Sequence, residues 1–115
     1  MPDLRRLGRE AEDRAAAFLL EQGLTLVTRR YTARGGEIDL IALDGETLVF
    51  VEVKSRGPRG SPEEAIDDRK AARLSAAADA YMAAMHERDR PIRFDLVAIT
   101  PEGVRHHRDF FRQGE

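Results

Sequence analysis

Cysteine is absent from the 115 residues, which excludes disulfides and thiolate metal sites at the outset. Any metal must be held by carboxylate oxygen or histidine, a donor set that points to hard cations such as Mg²⁺. Long apolar runs are missing too. Nothing apolar follows Met1-Pro2-Asp3-Leu4-Arg5-Arg6, so no secretory signal is predicted. The longest apolar stretches are strand-sized, which predicts no membrane span and a cytoplasmic location. No repeat, low-complexity tract or long linker divides the chain. Residues 1–115 therefore suit a single domain, large enough to bury about two-thirds of its unfolded surface without staples.

A dominant charge of one sign is also lacking. Basic residues number 19 and acidic residues 21, a formal net of −2. A protein that coats nucleic acid indiscriminately is usually basic. The balance argues against such a role, but it leaves room for basic residues arranged around an acidic pocket. The charge is unevenly spread: residues 1–34 hold seven basic and five acidic side chains, residues 35–60 three and five. Lysine is scarce. Only Lys54 and Lys70 break a set of basic residues that is otherwise all arginine, which suggests sites that need a compact ammonium on a flexible stem.

The spacing of Leu4, Leu7, Ala11, Ala15 and Phe18 predicts a helix over about 7–22, stopped by Gly23. Leu24 to Tyr31 reads as a strand with β-branched Thr25, Val27 and Thr28. Two further strand-like runs, 37–43 and 47–54, flank Asp44-Gly45, a hairpin signal. Ser61-Pro62-Glu63-Glu64 has the parts of a helix start: Ser61 as N-cap, Pro62 at the first position and Glu64 completing a capping box. That helix is expected to run to about Glu87. Ile92 to Thr100 follows as a strand, with a buried-type run at Leu96-Val97-Ala98-Ile99, and Val104 to His106 can add a short one. The expected order is α-β-β-β-α-β, an α/β arrangement of mixed sheet with flanking helices.

Alternation decides which hairpin residues share a face. With Asp44-Gly45 as a two-residue turn, Leu43 pairs with Glu46, Asp39 with Phe50 and Glu37 with Glu52. A longer turn changes the pairs but not the grouping within each strand. One face then carries Ile38, Leu40, Ala42, Val49, Val51 and Val53. The other is apolar near the turn and charged at the open end, where Glu37, Asp39, Glu52 and Lys54 gather. Like charges facing one another destabilise a sheet, and their desolvation adds to the cost. A bound divalent cation resolves that conflict. The alternative is an edge hairpin whose charges face water.

On a helical wheel, Glu12 lies at the edge of the first helix's apolar stripe, from which it can reach the sheet; Glu10 and Asp13 lie away from it. Lys70 falls within the stripe of Ile66, Leu74, Ala77 and Tyr81, to snorkel or to face the charged end of the hairpin and a phosphate. Arginine-rich loops bracket that end, Arg29 to Gly36 before it and Ser55 to Arg59 after it. Arg34 and Arg56 there suit contact with phosphates, which positions a backbone without reading its sequence. His106 and His107, being adjacent in a strand, point to opposite faces and make poor joint ligands.

Gly36-Glu-Ile-Asp-Leu-Ile-Ala42, Phe50-Val-Glu-Val-Lys-Ser-Arg56 and Arg93-Phe-Asp-Leu-Val-Ala-Ile99 resemble the YraN-like family of small uncharacterised bacterial proteins. That family is similar to archaeal Holliday junction resolvases and to the restriction-endonuclease-like PD-(D/E)XK superfamily. The resemblance extends from about Gly8 to Phe111. It implies a restriction-endonuclease-like core, with Asp39, Glu52 and Lys54 matching the superfamily motif and Glu12 as a helix-borne acid. Ile38 stands where the motif's proline is often found. The expectation is a metal-dependent nuclease that hydrolyses DNA, including branched or repair and recombination structures, with a homodimer as an option. Asp39, Glu52, Glu12 and the Val53 carbonyl would hold Mg²⁺ or Mn²⁺; Lys54 would act on the transition state; Arg34, Arg56 and Lys70 would contact DNA. The alternatives are a non-catalytic nucleic-acid-binding module on the same fold and, more weakly, a protein-interaction domain using Phe110-Phe111 and the alanine-rich helix.

Overall fold

A computed structural model describes residues 4–55 and 61–111, apart from the side chains of residues 4, 5 and 7. Leu4 and Leu7 of the expected stripe, and the Arg56 to Arg59 part of the basic loop, therefore lie outside what is described. Helix α1 spans Leu4–Glu21. It is stopped as expected: Gly23 takes φ 92°, and the Leu24 and Gly23 amides donate back to the Leu19 and Leu20 carbonyls. Strands β1 (Thr25–Ala33), β2 (Gly36–Asp44) and β3 (Thr47–Lys54) follow. After helix α2 (Asp68–Ala84) come β4 (Ile92–Thr100) and β5 (Gly103–His107). The five strands form one mixed sheet in chain order, with β3 and β4 parallel and every other pair antiparallel. No helix among the described residues is long and apolar enough to cross a membrane.

The helices cover opposite faces of the sheet. Ala11, Ala15, Ala16 and Leu19 of α1 pack on Leu40, Ala42, Val49, Val51 and Val97. Leu74, Ala77, Tyr81 and Met82 of α2 pack on Ile41, Leu48, Phe50, Phe94 and Leu96. Central strands β3 and β4 are apolar on both faces because a helix lies on each.

The start of α2 departs from the sequence expectation. Pro62–Ala65 is a single 3₁₀ turn, and Ser61 makes no capping hydrogen bond. The helix begins at Asp68, where the Asp67 carboxylate accepts the Lys70 N–H at 2.9 Å. A better-placed carboxylate six residues on displaces the Ser61 box. Glu63 is instead bound to β5, accepting from Arg105 at 2.8 and 2.9 Å and meeting His107 Nε2 at 2.8 Å. Its acidity is strengthened by those partners, Arg105 first.

The hairpin register also differs. Asp44 pairs with Thr47 and Leu43 with Leu48, so the loop is Gly45-Glu46 rather than Asp44-Gly45. Gly45 sits at φ 62°, the glycine-first form of a two-residue loop. Every pair moves by two residues. An even shift preserves the faces, and Asp39 then comes across from Glu52 instead of Phe50.

Candidate metal centre

Pairing of β2 with β1 runs to Gly36, but its pairing with β3 is recorded only as far as Leu40 and Val51. Asp39 and Glu52 are the next residues outward. Alternation is interrupted there on both neighbouring strands. Ile38, expected beside Leu40 and Ala42, packs instead in the α2-side cluster with Ile41 and Phe50. Opposite it in β1, Arg29 and Arg30 both reach α1, while Tyr31 turns to Tyr81 of α2. Arg30 holds φ at 55°, a left-handed conformation uncommon for a residue with a side chain. This irregularity turns the Asp39 side chain toward β3, where its Oδ2 accepts the Val53 N–H at 2.8 Å.

A cleft of about 160 Å³ opens at that point, bounded by Glu37, Asp39, Glu52, Val53 and Lys54 of the hairpin and by Lys70, Arg73 and Leu74 of α2. Burial, then the negative charge of Glu52 and a hydrogen bond with it, push the Asp39 carboxyl up to about 8; the Val53 N–H opposes this, and Glu12 adds a further upward push. Lys54 Nζ stands 3.9 Å from Glu52 Oε2. Contact with Lys54, followed by burial, lowers the Lys70 ammonium. Two carboxylates and two ammonium groups thus share one partly enclosed space.

The donor set fits a hard divalent cation. Mg²⁺ is commonly held by one or two carboxylates, with waters and substrate oxygens completing its shell. A carboxyl whose ionisation is opposed first by burial and then by a second carboxylate is one that a cation would relieve. No group of three His, Asp or Glu side chains converges among the described residues. Glu12, expected as a third acid, is not among the residues lining the cleft. It is only 14% exposed, as its edge-of-stripe position predicts, but Arg30 Nε holds its Oε1 at 2.8 Å and Arg29 Nη2 lies at 3.8 Å.

The other expected residues fall as follows. Val53 lines the cleft. Lys70 faces the charged end of the hairpin beside Lys54 rather than open water. Arg34 is exposed in the β1–β2 turn and does not line the cleft; Arg56 lies outside the described residues. Arg73 was missed. It follows Lys70 by three residues, so the two share a helix face, a spacing visible in the sequence. Gly36 has a role that spacing did not reveal. A Cβ there would stand 2.1 Å from the Arg73 carbonyl oxygen, so α2 reaches the cleft only because β2 begins with a glycine.

A second acidic centre serves the scaffold. Asp95 is fully buried; Arg93 donates to it at 2.9 and 3.0 Å, the Asp109 N–H at 2.8 Å, and His106 Nε2 lies 2.8 Å away. Burial alone would raise this carboxyl, but the bonds to His106, Arg93 and Asp109 outweigh it and hold it below the ordinary value. His106 and His107 go to different carboxylates, Asp95 and Glu63, in line with their opposite directions.

A family model described as "Uncharacterised protein family UPF0102" matches residues 11–99, a span holding Glu12, Asp39, Glu52, Lys54 and Lys70. A UPF0102 protein of Anaeromyxobacter dehalogenans is 47% identical over 96 residues, 82% of this chain and 72% of its own. One from Desulforapulum autotrophicum is 48% identical over 99 residues, covering 84% and 82% of the two chains. One from Persephonella marina is 36% identical over 106 residues, covering 90% and 91%.

Proposed function

The chain belongs to the uncharacterised protein family UPF0102, and we propose that it is a metal-dependent nuclease hydrolysing DNA phosphodiester bonds on a restriction-endonuclease-like core. The observation that carries this reading is the cleft in which Asp39, propped on the Val53 amide, meets Glu52 with Lys54 and Lys70 alongside. A sheet that only needed to be stable would not leave a carboxyl pushed up to about 8 at its frayed end.

Asp39, Glu52 and the Val53 carbonyl would hold Mg²⁺ or Mn²⁺, with Glu12 as a further acid once released from Arg30. Such an ion supplies Lewis-acid polarisation of the phosphate and acidification of a water. The chain's own groups do the rest. Asp39 is oriented by the Val53 N–H, which fixes one of its carboxylate oxygens. Lys54, beside Glu52, places a positive charge where the phosphoryl oxygens gain negative charge. Lys70 and Arg73 hold the flanking phosphate from the α2 side; Arg34 and Arg56 serve the backbone on either side of the hairpin. Glu37, at the rim, is the local competitor for the ligand role.

The test is a cleavage screen with linear, flapped and four-way DNA in Mg²⁺ and in Mn²⁺, beside Asp39→Ala and Glu52→Ala. Cleavage lost in both variants supports the assignment; unchanged cleavage in either removes it. A second reading, a binding module that keeps the fold without turnover, is favoured by one observation. Glu12 is neutralised by Arg30, and no three acids converge among the described residues. Calorimetric titration separates the two, because a retired site binds neither Mg²⁺ nor Mn²⁺.

A further inference from the structure

We infer that the groove between α1 and β1, walled by Arg6, Arg9, Arg29 and Arg30, is a second phosphate-binding face for a nucleic-acid backbone, entered when the Arg30 guanidinium exchanges Glu12 for a phosphate. The identity of the neighbouring cleft rests on the nuclease reading above; the groove's ligand does not.

The groove measures about 420 Å³, and Glu10 and Asp13 complete its wall. Four arginines against Glu10, Asp13 and the adjoining Glu12 leave it net positive. A planar guanidinium suits bidentate contact with phosphate better than a lysine ammonium would.

The acids now facing these arginines are weak competitors. Arg29 meets Asp13 at 2.6 Å with the two side chains 37% and 64% exposed, and Arg6 meets Glu10 at 3.5 Å with the two 70% and 57% exposed. Ion pairs in contact with water are worth little, so a phosphate with its own charge can replace the carboxylate. A phosphodiester chain also offers repeated charges to several arginines at once, whereas Glu10, Glu12 and Asp13 are single carboxylates.

Arg30 differs from the other three. It is held in the left-handed region in the middle of a strand, and such conformations persist only where the surroundings impose them. Its partner Glu12, at 14% exposed, is more buried than either acid of the wall. Arg30 also senses the charge of Asp39 as well as that of Glu12. It therefore stands between groove and cleft, and a phosphate that draws it from Glu12 returns that carboxylate toward Asp39 and Glu52. Backbone binding on one side and completion of the acidic site on the other are then one event.

The experiment follows a fluorescein-labelled DNA duplex by anisotropy in EDTA across a salt series, so that no metal or turnover is involved. Arg30→Gly removes the guanidinium while relieving the left-handed strain, which offsets part of the cost of the lost Glu12 pair and of a freer unfolded chain, so its melting temperature should stay within several degrees of native. Its affinity should fall about tenfold, as for one lost charge-assisted contact, and its log–log salt slope should flatten by about 0.9. Arg29→Gln should weaken binding in the same sense. Glu12→Gln should tighten binding several-fold in the native background and much less beside Arg30→Gly, because its action runs chiefly through Arg30, the nearer of its two arginines. Unchanged affinity and slope in Arg30→Gly and Arg29→Gln overturn the groove. Equal effects of Glu12→Gln in both backgrounds overturn the exchange. Displacement of the duplex by poly-glutamate at matched charge assigns the face to an acidic protein instead. A failure of the groove leaves Asp39-dependent cleavage intact, and a failure of the nuclease reading leaves the Arg30 effect in EDTA intact.

Discussion

Replacing Asp39 by Asn tests the electrostatics of the cleft without disturbing its geometry. Asparagine keeps an oxygen to accept the Val53 N–H now bound at 2.8 Å but cannot ionise against Glu52. In the native protein the Asp39 carboxyl stands near 8 against an ordinary 3.8, chiefly through burial and then the charge of Glu52. Between those two values the folded chain holds a proton that the unfolded chain has released. Stability from this group is therefore fully present below the ordinary value and is lost as pH rises through about 8. At about 1.4 kcal/mol per pH unit, the whole effect is at most on the order of 6 kcal/mol. Asparagine cannot ionise, so the variant escapes this loss, which corresponds to about 10 °C or more in melting temperature for a domain of this size. Thermal denaturation in EDTA should give matching midpoints for native protein and Asp39→Asn below about pH 4, with the variant rising above the native protein from there to about pH 8 and the gap level beyond. Adding Mg²⁺ at pH 8 should raise the native protein toward the variant and leave the variant where it was. A ligand at a hundredfold excess over its dissociation constant adds about 2.7 kcal/mol, and only the native protein has the carboxylate to receive it. Parallel pH curves in EDTA would refute the electrostatic argument.

Three further outcomes are expected. Gly36→Ala puts a Cβ 2.1 Å from the Arg73 carbonyl oxygen, so α2 must shift; urea unfolding should show a loss of about 2 kcal/mol or more. Asp95→Ala strips the buried partner from Arg93 and His106, and a broken buried pair of this kind costs about 3–5 kcal/mol, read from the same unfolding curves. Lys54→Ala should abolish cleavage while leaving Mn²⁺ binding by calorimetry within a few-fold of native. Loss of binding along with cleavage would make Lys54 a structural partner of Glu52 instead.

Most of the scaffold is written in local pattern. The limits of β3 and β4, the stop at Gly23 and the two-sided burial of Leu96 to Ile99 all follow from periodicity and glycine placement, and the structure keeps them. Two local signals lost to tertiary competition. The Ser61 box was outbid by the Asp67 cap while Glu63 was drawn to Arg105 and His107. The hairpin closed on Gly45-Glu46, which keeps Leu43 opposite Leu48. For the candidate site, the grouping of Asp39, Glu52 and Lys54 was legible because strand alternation survives an even shift in register. The partner of Glu12 was not, since Arg30 reaches it only through a break in alternation. Asp95 was passed over inside an apolar strand, although Arg93 two residues before it was the available signal for a buried pair.

The central claim is tested most directly by cleavage of linear, flapped and four-way DNA with native protein and Asp39→Asn side by side, in Mn²⁺ and in EDTA. Because the variant should be at least as stable as the native chain without metal, loss of its activity cannot be assigned to misfolding. The account predicts products only from native protein with metal. Equal products from Asp39→Asn, or none from native protein on any of these DNAs, would contradict it.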